Sequence, residues 1–229
     1  ANEYEKKIFS ELGGENKIEI IENGINLEKM KSDVDFKKKY AINHDYFLFL
    51  GRFHKVKGID MLLKAMQVIK NHRLMSNVKL VIMGVNFGFE EEMLEMIKNM
   101  NLNDVVKVIK NPPREDVIAA YKESEFLVLP SRWELSPLTP LEGFAFKKPT
   151  ISTKVHGIPY TLDDGKNSIL VESENFNELS EKIIELLNDK TKCRELGING
   201  YEHVHKECNS QEMVKRILMV YEKASELLH

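Results

Sequence analysis

Tyr46-Phe-Leu-Phe-Leu50, Gly51-Arg-Phe-His-Lys-Val-Lys57-Gly58 and Ile59-Asp-Met-Leu-Leu-Lys-Ala-Met-Gln-Val-Ile-Lys70 follow one another directly. They read as a short apolar strand, a loop bounded by glycines, and a longer segment of helical period. A strand this apolar is buried on both faces, and strands alternating with helices form parallel sheets. The alternation continues outward from here. Residues 78–83, 105–109, 126–130, 150–153 and 168–171 read as further strands, with helices over 90–100, 115–124 and 138–146 between them. The expected class is α/β, a doubly wound parallel sheet, with C-terminal helices over 177–188, 191–206 and 210–228. Ahead of the first strand come an amphipathic helix over 4–12 stopped by Gly13-Gly14, a strand fragment Ile18-Glu-Ile-Ile21, and a mixed-charge stretch over 28–39. This leader reads as the end of something longer.

The bulk properties narrow the function classes. With 229 residues, 42% of them hydrophobic, the chain can bury a full core. A formal charge of -3 without a clustered excess of Lys and Arg argues against duplex nucleic acid as a partner. Cys193 and Cys208 show no zinc-type spacing and read as reduced thiols of a cytosolic protein. No apolar run reaches the roughly 18 to 20 residues of a membrane span, and the polar start lacks a secretory apolar core. No transmembrane segment is expected.

In open α/β sheets ligands bind beyond the carboxyl ends of the strands, where helix N-termini direct unsatisfied amides outward. Two junctions at that edge carry chemistry. In the first, Gly51 and Gly58 let backbone approach closely, and Arg52 with Lys57 offers a planar fork and a point charge suited to a diphosphate. Solvated surface cations are the bland alternative, and His54 and Lys55 read that way. In the second, Ser131-Arg-Trp-Glu134-Leu-Ser-Pro-Leu-Thr-Pro-Leu-Glu142 places two glutamates eight positions apart. A carboxylate can accept both hydroxyls of a ribose, which suits Glu142; a loop carboxylate such as Glu134 can meet a sugar hydroxyl or steady positive charge at an anomeric carbon. Each has a structural alternative. Thr139-Pro140-Leu141-Glu142 fits a capping box, and Glu134 fits a surface acid paired with Arg132. A glycosidase acid and nucleophile is a further option, with a spacing the sequence leaves open.

Taken together, Gly51-Arg52, Lys57-Gly58, Pro130-Ser131 and the two glutamates resemble the large, nucleotide-sugar-dependent, retaining glycosyltransferase family, group 1, of the GT-B fold. The resemblance covers nearly the whole chain. Ile20-Ile-Glu-Asn23-Gly24-Ile-Asn26 looks like the family's interdomain segment, Lys147-Lys-Pro149-Thr-Ile-Ser-Thr153 like the strand after the second glutamate, and His156-Gly-Ile-Pro159 with Asp164-Gly-Lys-Asn-Ser-Ile-Leu-Val171 like the next loop and strand. It implies a Rossmann-like donor-binding half of a GT-B enzyme. Residues 1–26 would be the tail of a missing N-terminal domain and the interdomain segment, 27–209 the donor domain, and 210–229 a helix crossing back to the missing half.

By the same resemblance Gly51, Arg52 and Lys57 would bind the donor diphosphate with amides at Leu138 and Thr139, Glu142 would hold the ribose, and Glu134 would contact the transferred sugar as the catalytic residue. The donor would be a UDP-, GDP- or ADP-sugar, with no cofactor and no metal. The acceptor, a glycan, lipid or small molecule, would sit on the missing N-terminal domain, so this chain alone would transfer little. The setting would be cytoplasmic, or the inner membrane face through the missing domain. Leu135-Ser136-Pro137 replaces the family's frequent Gly-Phe-Gly, and Pro137 has no amide to give. Met83-Gly84-Val-Asn-Phe-Gly88 departs from Gly-x-Gly-Pro, while His156 and Tyr160 stand for a commoner glycine and glutamate. The alternatives are a non-catalytic nucleotide-sugar-binding module and a nucleotide-sugar epimerase. A dinucleotide oxidoreductase is disfavoured, because the first turn has no Gly-x-Gly-x-x-Gly.

Overall fold

In the computed structural model, residues 2–14 and 18–226 are described. The elements run α1 (Glu3–Phe9), α2 (Phe36–Lys39), β1 (Asp45–Leu50), α3 (Ile59–Ile69), β2 (Val78–Gly84), α4 (Glu90–Asn99), β3 (Val106–Lys110), α5 (Arg114–Glu123), β4 (Leu127–Leu129), α6 (Leu138–Phe144), β5 (Thr150–Thr153), β6 (Ser168–Val171), α7 (Phe176–Asn188), α8 (Lys190–Lys206) and α9 (Ser210–Glu226). The six strands order as β3-β2-β1-β4-β5-β6, and every ladder is parallel. This is the Rossmann-like doubly wound sheet the strand and helix alternation predicts.

Side chains alternate across each strand, so one strand feeds two cores. Phe47, Phe49, Leu80, Ile82 and Val128 face α3, α4 and α7; Tyr46, Leu48, Val81, Met83 and Leu129 face α2, α5 and α6. α7 buries Leu179, Ile183, Leu186 and Leu187 at helical spacing, and its start is fixed by the Asn175 side chain accepting from the Glu178 amide. Because sheet order reverses between β1 and β4, the loops leaving those two neighbouring strands lie side by side at the carboxyl edge. That is the switch point where such sheets open a crevice.

The front of the chain departs from expectation. Residues 18–21 form no strand; it is the chain just beyond them that meets the start of α9, with the Ile25 amide donating to the Cys208 carbonyl at 2.9 Å and the Ser210 amide to the Ile25 carbonyl at 2.9 Å. A β-fragment needs a ladder partner, and here an isolated bridge between Ile25 and Asn209 takes that place. Gly13 does end the first helix, at φ 89. Neither α1 nor α9 contains a buried residue, and Phe9, Leu12, Val214, Leu218 and Tyr221 are exposed apolar side chains.

Candidate functional site

β1 delivers Gly51 and Arg52 to the carboxyl edge, and Gly58, at φ 67, turns the chain into α3. A Cβ on Gly58 would sit 1.8 Å from the Pro130 carbonyl oxygen, so only glycine lets the two loops touch. The contact is sealed by the Arg132 amide donating to the Val56 carbonyl at 2.8 Å. Lys57 and Glu134 meet as a result. The ammonium lies 2.5 Å from Oε1 of Glu134, with the two side chains 15% and 10% exposed. Ser131 donates to the same oxygen at 2.9 Å, while the Thr153 hydroxyl holds the Ser131 carbonyl and the Gly157 amide holds the Glu134 carbonyl at 3.0 Å.

Glu134 is therefore not a surface acid paired with Arg132. The Arg132 guanidinium turns away to Asp60, in a two-pronged contact at 2.7 and 2.8 Å, and to Glu174 at 2.6 Å. This ties the start of α3 to the loop after β4 and to the approach to α7. Burial is the largest influence on the Asp60 carboxyl and would raise it, but the Arg132 hydrogen bonds, the Arg132 charge and the amides of Met61 and Asp60 together outweigh it and hold Asp60 below its usual range; Arg132 is pushed upward in turn, chiefly by the hydrogen bond to Asp60.

The capping box at Glu142 does not form either. α6 already begins at Leu138, with Pro137 as its N-cap residue and no side-chain cap, so Thr139 and Pro140 lie inside the helix. Glu142, past the first turn, points toward α5 instead. Arg114 donates to Oε1 at 2.6 Å and the Tyr121 hydroxyl to Oε2 at 2.8 Å. Arg114 and Tyr121 are seven apart on α5, two turns, and so share a helix face. That spacing is a signal present in the sequence, but which helix meets that face is not, and the sequence reading gave neither side chain a role at Glu142.

Arg52 is exposed. Its guanidinium lies 5.1 Å from the centre of the Phe87 ring, and it makes no ion pair among the described residues. The structure thus joins Lys57 to Glu134 directly, while Arg52 rests on Phe87 and Glu142 on α5; among the described residues the two glutamates share no partner. Leu138 and Thr139 open α6 at this edge too. The Asn111 amide donates to the Gly84 carbonyl at 2.8 Å, closing the loops after β2 and β3 together. Among the described residues no group of His, Cys, Asp or Glu side chains has a metal-binding arrangement, and no helix is long and apolar enough to cross a membrane.

The loop where the family pattern breaks, Leu135-Ser136-Pro137, is clasped by the front of the chain. Asn2 donates to the Leu135 carbonyl at 2.8 Å, Ser136 donates to Glu5 at 2.7 Å, and Asn23 donates to the Ser136 carbonyl at 2.9 Å. Nearby, the Tyr4 hydroxyl and Nδ1 of His156 are 2.8 Å apart. Contacts spanning more than a hundred positions leave no local trace in sequence.

The family profile described as "Glycosyl transferases group 1" matches residues 31–203, most of the chain, and the chain belongs to that family. An uncharacterized glycosyltransferase of Methanocaldococcus jannaschii is 32% identical over 92% of this chain and 55% of its own length. The capsular polysaccharide biosynthesis glycosyltransferase CapM of Staphylococcus aureus is 29% identical over 94% of this chain and 58% of its own length. The chain thus spans little more than half of these curated relatives. Solved structures of HepE from Anabaena, in complex with UDP and with UDP-glucose, superimpose with TM-scores of 0.84 and 0.80 at 18% and 19% identity, over 95% and 96% of this chain and 61% of each of theirs. Those structures share the fold.

Proposed function

We propose that this chain is the donor-binding half of a retaining glycosyltransferase that uses a UDP-, GDP- or ADP-sugar. The observation that carries the reading is the buried Lys57–Glu134 pair at the switch point of the sheet. An ammonium has three donors, and Glu134 occupies one of them. The others remain for a phosphate oxygen, so one side chain can bridge the donor diphosphate and the carboxylate beside the transferred sugar. Arg52, without a carboxylate partner among the described residues, adds the second cation, Leu138 and Thr139 add backbone amides, and Glu142 takes the ribose. Glu134 then lies where it can steady positive charge developing at the anomeric carbon. Family membership and the likeness to structures titled with UDP and UDP-glucose support the donor class; the polysaccharide role printed for CapM supports a glycan-building context.

The acceptor, whether glycan, lipid or small molecule, binds an N-terminal domain of the longer protein. Residues 1–26 form its tail and the interdomain segment, 27–209 the donor domain, and 210–229 the returning helix. The exposed apolar side chains of α1 and α9 support that division. Transfer needs both reactants held between closed domains, so this chain alone binds donor and turns over little. No metal takes part, and the protein works in the cytoplasm or at the inner membrane face.

The test is calorimetric titration of the chain with UDP, GDP, ADP and NAD. One nucleoside diphosphate should bind well and NAD poorly. Arg52→Ala should then cost about 1.5 to 3 kcal/mol of diphosphate affinity, the range for hydrogen bonds to charged groups. Equal losses for nucleoside and nucleoside diphosphate would remove Arg52 from the phosphate site.

A further inference from the structure

Tyr121 is fully buried, and a buried phenol must find an acceptor. It does so on Oε2 of Glu142 at 2.8 Å, while Nη2 of Arg114 takes Oε1 at 2.6 Å. The ring is fixed from the other side by Phe146, stacked at 6.5 Å with planes 12° apart. Burial, and next the Glu142 charge, push the Tyr121 hydroxyl well above its usual range. It therefore acts as a donor throughout the physiological range. The Arg114 side chain is 55% exposed and the Glu142 side chain 15%: one support reaches in from solvent and the other comes from the core.

We propose that Tyr121, with Arg114, is a positioning residue for sugar recognition: it clamps the Glu142 carboxylate so that its unused lone pairs face the ribose of the donor nucleotide. The inference rests on the donor-domain reading above and goes beyond it, since Tyr121 touches no ligand. An ionised carboxylate has about four acceptor sites. Two are taken by Tyr121 and Arg114, which leaves two for the vicinal hydroxyls of a ribose. Without the phenol hydroxyl the carboxylate can swing about its last bond toward Arg114, and the match to a diol is lost. Ribose selection is thereby controlled from α5, by a group without access to solvent.

The test uses this chain and whichever of UDP, GDP and ADP binds best, alongside the analogue lacking both ribose hydroxyls. Tyr121→Phe keeps the ring and removes only the hydroxyl. The normal nucleotide should bind about ten-fold more weakly, as for a lost hydrogen bond to a charged group, while the dideoxy analogue is unaffected. Glu142→Gln should show the same selectivity, and adding Tyr121→Phe to it should bring no further loss, because the two act as one unit. Arg114→Gln, on an exposed side chain, supplies the same readout if Tyr121→Phe fails to fold. Equal weakening of both nucleotides by Tyr121→Phe, or additive losses in the double variant, would reduce Tyr121 to a packing residue and overturn the proposal while leaving the donor reading intact. If Glu142→Gln itself leaves the ribose dependence unchanged, the role given to Glu142 falls, and this inference with it.

Discussion

Glu134 and Glu142 are eight residues apart in one loop-helix segment, yet they are held in opposite ways. Glu134 is nine-tenths buried and rests on a lysine from the next strand's loop and a serine three residues upstream. Glu142 rests on α5, gripped by a half-exposed arginine and a buried tyrosine. The difference teaches that the segment presents two separately braced anions. Glu134 depends on the packing of β1 against β4, and Glu142 on the packing of α5 against α6.

The comparison breaks most severely at Gly58. Gly58→Ala would force a Cβ onto the Pro130 carbonyl at a positive φ, so the junction that brings Lys57 to Glu134 must open. Unfolding free energy should fall by roughly 3 kcal/mol. Urea denaturation reads this directly, and an unchanged midpoint would mean the two loops are not in register as described. Next in size is Lys57→Met, which leaves a largely buried carboxylate without its cation; because solvent still reaches the pair, a loss of about 2 kcal/mol is expected. Glu142→Gln keeps one acceptor oxygen and sets an amide NH2 against the other partner; because Arg114 is half exposed and can turn to solvent, the change should cost only about 1 kcal/mol in the same assay. If the two variants cost the same, the two glutamates are braced alike and the contrast fails.

A smaller effect should appear with acid. The Asp60 carboxyl is held low by Arg132, so its contribution is present above the unfolded carboxylate range and is lost as pH falls through the lowered native value. The stability gap between wild type and Arg132→Met should therefore hold steady at neutral pH and narrow below about pH 4. A gap that widens in acid would reverse the sign assigned to Asp60. Smallest of all, Leu218→Ser on α9 removes a side chain that is 54% exposed. Stability of this chain should change by less than about 0.5 kcal/mol. A larger loss would show α9 already packed against the sheet and not awaiting a partner.

The sheet was legible because buried parallel strands must be apolar almost throughout: Phe47-Leu-Phe-Leu50 and Leu80-Val-Ile-Met83 can hardly be anything else, and β5 and β6 begin and end where their patterns do. That the loops after β1 and β4 lie at one edge followed from strand direction alone, and there Lys57 meets Glu134. Local rules misled where they competed with long-range contacts. The capping box at Glu142 and the Arg132 partner of Glu134 were sound by spacing, but α6 starts two residues before the box requires and Arg132 finds a doubly hydrogen-bonded site on Asp60. Ile18-Glu-Ile-Ile21 had strand composition without a ladder to join.

What the sequence determined by itself, then, was periodicity and order: which runs are strands, which are helices, and which charged residues leave the strands at one rim. Only the tertiary structure decided partnership. Lys57 reaches Glu134 across 77 positions of chain, and Tyr121 reaches Glu142 across 21, because hydrogen bonds are settled by distances of a few ångströms between side chains whose neighbours are set by how whole elements pack. Periodicity is a property of the chain; proximity is a property of the fold.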